Sequence, residues 1–258
     1  MPHALTTAVA AARRAGALLL EQLHRPLHIE EKGRRADLVT AADRQSERLI
    51  VETLLEAFPQ AAILGEEGAA VPGSSDERWI VDPLDGTTNY AHGYPFFCVS
   101  IAYERAGIIE AGVVYAPLLK ECFTAVRGGG AFLNGERIFV SRTVAVGDAM
   151  LCTGFKPYDY ETNAAFFAHA SRHAQAVRRD GAAALDFAYT AMGRFDAFWE
   201  FGLAAWDVAA GALFVREAGG AVSAIDGAPF SVDGASVLAS NGVLHEPLKE
   251  LFAPLLRL

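Results

Sequence analysis

A chain of 258 residues, 52% hydrophobic and 21% charged, carries enough apolar mass for a sizeable core, with no long polar tract of the kind that stays disordered. Its formal net charge of −9 argues against a general nucleic-acid binder, which needs a basic face, and fits a protein that gathers carboxylates around hard cations. The three cysteines, Cys98, Cys122 and Cys152, are odd in number, widely spaced and set among apolar residues, so buried free thiols are expected rather than a disulfide framework or a zinc site.

Leu5, Val9, Ala12, Leu19 and Leu23 recur at helical spacing with Arg13, Arg14 and Glu21 between them, which predicts an amphipathic first helix. The arginines also interrupt the apolar run from Thr7, so it does not read as a signal peptide, and no other segment is long enough to span a membrane. A cytoplasmic protein is the expectation. Thr40-Ala-Ala-Asp43 has the spacing of a capping box, followed by Leu49, Ile50, Leu54 and Leu55 and stopped by Pro59, which predicts a second helix.

From Ala61 the pattern changes. Ala62-Ile-Leu64 leads into Gly65-Glu-Glu67 and Trp79-Ile-Val81 leads into Asp82, so each is read as a buried strand that delivers carboxylates at its end. Val99-Ser-Ile-Ala-Tyr103 and Gly112-Val-Val-Tyr115, punctuated by Gly107 and Gly128-Gly-Gly130, predict an antiparallel sheet between Phe97 and Phe132. Further on, helices are predicted from Ala164 to Ala176, Ala183 to Met192 and Val208 to Glu217, the last ended by Gly219-Gly220, with a short strand at Ala197-Phe-Trp-Glu200. There is no repeat and no flexible linker, so a boundary near 140–145 is a change of layer, dividing residues 1–142 from 143–258.

The chemistry concentrates in Asp82-Pro-Leu-Asp-Gly-Thr-Thr88. Magnesium takes oxygen ligands and keeps open positions for water and substrate, and Glu66, Asp82, Asp85 and Asp207 fit that need. Pro83 fixes φ and holds Asp82 extended, so a turn there lets both aspartates converge and frees the Leu84 carbonyl as a ligand. Gly86 lets the backbone approach an anion ahead of a helix start, Thr87 is placed to position a water, and Glu66 to accept its proton. On spacing alone the same residues also describe an ordinary Asp-Pro and Asp-Gly loop, Asp43 a capping-box member and Asp207 a helix cap.

The run Trp79-Ile-Val-Asp-Pro-Leu-Asp-Gly-Thr-Thr-Asn-Tyr90 resembles the first signature of the inositol monophosphatase family, the Mg²⁺-dependent, Li⁺-sensitive phosphatases. Trp206-Asp-Val-Ala-Ala-Gly211 with Glu217-Ala-Gly-Gly220 resembles its second. Asp37-Leu-Val-Thr-Ala-Ala-Asp43, Gly65-Glu-Glu67, Gly130-Ala-Phe-Leu-Asn-Gly135 and Gly181-Ala-Ala-Ala-Leu-Asp186 fall where the family has comparable segments, so the resemblance covers nearly the whole chain. It implies a layered αβαβα sandwich of the sugar-phosphatase type, with an α+β first half and an α/β second half, metals at their junction, and commonly a homodimer.

By the same resemblance two to three Mg²⁺ ions are implied. Glu66, Asp82 and the Leu84 carbonyl hold the first, Asp82, Asp85 and Asp207 the second, and a third is held through water near Glu66. The implied reaction is in-line attack on phosphorus by an activated water near Glu66 and Thr87, without a phospho-enzyme, and with Asp43 tuning Thr87. Lys32 lies near the position of a family lysine often placed close to the site. Asp85, Gly86, Thr87, Gly181, Ala183 and Glu200 are the implied substrate contacts, Glu200 accepting hydroxyl hydrogen bonds from the polyol. Ala182 stands where many relatives carry Ser or Thr, which counts against strict inositol selectivity. The substrate expected is myo-inositol 1-phosphate or a related polyol phosphate, with histidinol phosphate, a sugar phosphate or a nucleotide phosphate as alternatives. An RNA-associated accessory role in transcription, as the resemblance implies for some bacterial relatives, is the alternative of another class, kept open by Arg34-Arg35 and Arg178-Arg179.

Overall fold

The computed structural model describes residues 2–23, 29–31, 38–155 and 161–257, with the backbone alone at Pro2, 29–31, 38–40 and Arg257. Lys32, Arg34-Arg35 and Asp37 lie outside the described residues. In chain order the elements open with α1 (Pro2–Gln22), β1 (Ile29–Glu31), β2 (Leu38–Thr40), α2 (Ala41–Ala57), β3 (Ala62–Gly65), β4 (Ala70–Val71), β5 (Glu77–Asp85) and α3 (Thr87–Ala91). They continue with β6 (Cys98–Arg105), β7 (Ile108–Ala116), β8 (Glu121–Val126), β9 (Gly130–Leu133), β10 (Glu136–Arg137), β11 (Met150–Thr153), α4 (Glu161–Ala170) and β12 (Ala176–Arg178). The last are α5 (Ala183–Ala191), β13 (Ala197–Phe201), α6 (Ala205–Glu217), β14 (Ala221–Ser223), β15 (Ser236–Ser240) and α7 (His245–Phe252).

Two sheets organise these elements. The first runs β10-β9-β8-β7-β6-β5-β3-β4, antiparallel except where β3 lies parallel to β5. The second runs β12-β11-β13-β15-β14, with β11 parallel to both its neighbours. Period-two alternation sorts the side chains. Along β6, Val99, Ile101 and Tyr103 face the core beneath α1 and α2, while Cys98 and Ala102 face the core around α5 and α6. Along β11 and β13, Cys152 and Phe198 face that same middle layer, while Leu151, Ala197 and Trp199 face a third core closed by Phe166 and Phe252. The result is the expected five-layer αβαβα sandwich.

The middle layer explains why α5 and α6 are apolar on nearly every side: each is covered by a sheet on either flank and by the other helix. Small residues permit that closeness, as Gly112 of β7 shows, where an added Cβ would lie 3.1 Å from the Ala210 Cβ.

Several boundaries differ from the periodicity. The buried seam of α1 is Ala4, Ala8, Ala11, Ala12, Ala15 and Leu19, with Leu5 and Val9 only partly covered, because alanines allow the closest approach to the sheet. The helix predicted from Ala164 to Ala176 is Glu161–Ala170, and Ala176 instead starts edge strand β12, since apolar runs of this length suit either state. Helix α6 starts at Ala205, so Asp207 lies inside its first turn rather than at its start.

Candidate active site

The chain does not turn at Pro83. Strand β5 runs on to Asp85, and its register against β6 shifts between Asp82 and Asp85, because Pro83 has no N–H to give the ladder and one extra residue bulges out. The shift has a specific effect. Asp82 and Asp85 are three positions apart and would point to opposite faces of a regular strand, but here they pair with Ser100 and Cys98, two apart on β6. Both carboxylates therefore face the middle layer, where the first turn of α6 presents Asp207.

Asp82, Asp85 and Asp207 are all buried, at 1%, 9% and 9% exposure, and Glu66 reaches them from the end of β3. Burial pushes the Asp82 carboxyl well above the usual carboxylate range, and the charges of Glu66, Asp85 and Asp207 push it further in the same direction. Burial, then the charge of Asp207, pushes Asp85 up to about 8, although the Ala184 N–H donates to its Oδ2 at 2.7 Å and opposes the shift. Asp207 Oδ2 in turn accepts from the Ala204 N–H at 2.8 Å, which fixes the side chain across the first turn of α6.

An acid whose folded pKa lies above its ordinary 3.8 favours folding only while it holds its proton. Metal-free protein is therefore expected to lose stability as pH rises from about 4 to about 8. Melting temperatures of chelator-treated protein across that window test this, and Mg²⁺ should reverse the loss with proton release.

A polar face of α2 supports the constellation. The Thr87 hydroxyl lies 3.0 Å from Asp43 Oδ1 and 3.1 Å from the Leu84 carbonyl oxygen, so one proton is offered to two acceptors. Ser46 donates to the Pro83 carbonyl at 2.8 Å, holding the bulge. Glu47 accepts the N–H of Glu67 at 2.9 Å and of Ala69 at 3.1 Å, and so fixes the loop that carries Glu66. Ser46 and Glu47 are supports that the pattern reading missed. The available signal was the spacing of Asp43, Glu47, Ile50 and Leu54, which puts two acids on the buried face of a helix.

Gly86 adopts φ +88, and a Cβ there would stand 2.9 Å from the Phe96 carbonyl oxygen, so glycine is required ahead of α3. Asn89, also missed, donates from one amide to the carbonyls of Phe96 at 2.7 Å and Asp180 at 2.8 Å, which ties α3 to the Gly181 segment. Its place directly after Thr87-Thr88 was the clue. The Ala183 N–H faces Asp85 along with that of Ala184, so this segment braces a carboxylate of the site. Glu200 is buried near the end of β13 against Gly154, where no side chain has room. A separate open cavity of about 560 Å³, lined by Arg78, Arg127 and Arg216 among others, lies toward the opposite end of β5.

A family model described as the inositol monophosphatase family matches residues 2–257. The chain belongs to the inositol monophosphatase family. It is 45% identical to an inositol-1-monophosphatase of Mesorhizobium japonicum, over 95% of this chain and 94% of that protein. It is 43% identical to a Nus factor SuhB of Pseudomonas aeruginosa, over 98% of this chain and 97% of that one. Among solved structures, an extragenic suppressor protein suhB of Bartonella henselae superposes with a TM-score of 0.93 at 41% identity, covering 96% and 97% of the two chains. More distant neighbours at 27% identity include an IMPase/NADP phosphatase complexed with NADP and Ca²⁺ and a staphylococcal enzyme in a LiCl-soaked inhibitory complex, each with a TM-score of 0.83. The family supports a phosphatase that depends on metal. No helix among the described residues is long and apolar enough to cross a membrane.

Proposed function

We propose that this protein hydrolyses a small phosphate monoester, most suitably myo-inositol 1-phosphate or a related polyol phosphate, with Mg²⁺. The observation that carries the proposal is the convergence of Glu66, Asp82, Asp85 and Asp207, four acids in which burial first, and mutual repulsion after it, pushes the Asp82 and Asp85 carboxyls up. Such a cluster is a standing demand for dications, and a donor set made only of oxygen fits a hard ion such as Mg²⁺. The relative solved with Ca²⁺ is consistent with that demand, and the lithium complex supports a Li⁺-sensitive enzyme.

In this reading Glu66, Asp82 and the Leu84 carbonyl would hold one ion, Asp82, Asp85 and Asp207 a second, and a third would be held largely through water near Glu66. When bound, Mg²⁺ supplies positive charge for the phosphate oxygens and acidifies water. Thr87 keeps its proton on Asp43 and the Leu84 carbonyl, so its outward lone pair can receive a hydrogen from the attacking water and orient it. Glu66 then accepts the other proton. Gly86 and Thr87 cradle the phosphate with Asp85 alongside, and Gly181, Ala183 and Glu200 form the wall that meets the alcohol. Residues 1–142 and 143–258 are proposed as the two halves, the first with most of the ligands and the second with Asp207 and that wall. A cytoplasmic homodimer completes the proposal.

A panel of phosphate monoesters tests the substrate class. Inositol and other polyol phosphates should turn over fastest, and Glu200→Gln should raise KM for them by about 10-fold, the worth of a hydrogen bond to a charged acceptor. Ala182 offers no hydroxyl at the head of α5, which favours breadth over strict selectivity. Faster hydrolysis of histidinol phosphate, a sugar phosphate or a nucleotide phosphate would replace the polyol reading with one of those.

The names of the SuhB relatives favour a second reading, an accessory role in transcription. Arg178 and Arg179 are exposed at the end of edge strand β12, where a partner could reach them. Salt-sensitive binding of RNA or RNA polymerase by a turnover-dead variant would establish it.

A further inference from the structure

Cys152, Asp180 and Asp186 converge behind the proposed substrate wall. Cys152 comes from β11, Asp180 from the loop before α5, and Asp186 from α5, and one ligand atom from each lies within 4.8 Å of the others. Asp186 is fully buried, and neither of its carboxylate oxygens has a hydrogen bond from a nitrogen or oxygen donor; the weakly donating Cys152 thiol lies beside it. A buried carboxyl so weakly compensated is costly and calls for a further partner. Burial pushes this carboxyl well up; the nearby Cys152 thiol opposes that, and the charges of Glu200, Asp180 and Asp85 add to it. Those three neighbouring charges are all negative.

We propose that Cys152, Asp180 and Asp186 form a second cation site, distinct from the four-carboxylate centre, that takes a borderline-soft divalent ion of the zinc class. A thiolate with two carboxylates suits such an ion, whereas an all-oxygen set suits Mg²⁺. Bonds of about 2.0–2.3 Å at tetrahedral angles place ligand atoms about 3.3–3.8 Å apart, so small side-chain rotations close the observed cluster onto an ion. Asp180 is partly exposed and offers the way in, while Cys152 and Asp186 are fully buried. Binding releases the Cys152 proton, and any proton on Asp186, to solvent. The usual short ligand spacings are absent, which is why the cysteine pattern predicted no zinc site.

Asp180 directly precedes Gly181, and its carbonyl accepts from Asn89 at 2.8 Å, so an ion here would also brace the loop that ties α3 to α5. The site itself does not rest on the phosphatase reading. Its test is titration of the full-length protein with Cd²⁺ under excess Mg²⁺, followed by the ultraviolet thiolate-to-cadmium absorption. One saturable equivalent is expected, lost in Cys152→Ser and weakened at least tenfold in the near-isosteric Asp186→Asn. Cys98→Ser must leave the band intact, because the Cys98 thiol lies 3.8 Å from Asp85 Oδ2 and is the competing source of a thiolate signal. No band, a band that survives Cys152→Ser, or a band that vanishes with Cys98→Ser would each overturn the proposal. Should Cys152→Ser fold poorly, Asp186→Asn decides: binding unchanged from wild type rejects the site.

Discussion

Asp85→Asn is expected to abolish most Mg²⁺-dependent turnover while leaving the fold intact. Replacing outer supports of a metal ligand typically costs about 10–100-fold in metal affinity or activity, so if Asp85 is the direct ligand proposed above, losing its charge should cost at least about 100-fold. The side chain keeps its volume and can still accept the Ala184 N–H that now reaches Oδ2 at 2.7 Å. It also removes one charge from a crowded acidic cluster, and the Asp82 carboxyl should titrate closer to its ordinary range as a result. The metal-free variant should therefore melt at or above the wild-type temperature at pH 8, with a flatter pH dependence. Activity against Mg²⁺ concentration, together with melting curves in chelator, separates a lost ligand from a lost fold. Near-normal turnover at ordinary Mg²⁺ would remove Asp85 from the metal site.

Glu47→Ala should damage both stability and turnover although Glu47 is not among the proposed substrate contacts. Its carboxylate accepts two backbone N–H groups of the loop that carries Glu66, and truncation leaves both without that acceptor in a half-buried loop. Each unsatisfied buried group costs about 1–3 kcal/mol, and for two half-buried groups that water partly reaches the loss should be about 2 kcal/mol at most, worth up to roughly 4–8 °C in a chain of this size. Glu66 then loses its fixed position, and turnover should fall by about 10–100-fold, with a higher Mg²⁺ requirement. Glu47→Gln retains one acceptor oxygen and should recover part of both effects. A purely structural role predicts a lower melting temperature with unchanged Mg²⁺ dependence, so that measurement discriminates.

What could be read without coordinates followed from short-range rules. Alternation and helical spacing located most strands and helices, and the ordered motifs around Asp82 and Asp207 pointed to the family that the comparisons confirm, while the turn expected at Pro83 is instead a bulge within β5. The short apolar runs were where this failed: Ala176 belongs to a strand rather than a helix, and a continuous buried run carries no period to tell the two apart.

The type of the carboxylate chemistry was thus determined by the sequence, but its assembly was decided only in three dimensions. Pro83 withdraws one N–H from a ladder, and the register slip that follows turns Asp82 and Asp85 onto one face; nothing in the spacing distinguishes that bulge from a turn. The roles of Ser46, Glu47 and Asn89 depend on which backbone groups lie opposite them, a matter of packing between α2, α3 and distant loops. The convergence of Cys152, Asp180 and Asp186 is of the same kind. Sequence specifies which groups carry charge, whereas proximity across layers decides which of those charges lie together.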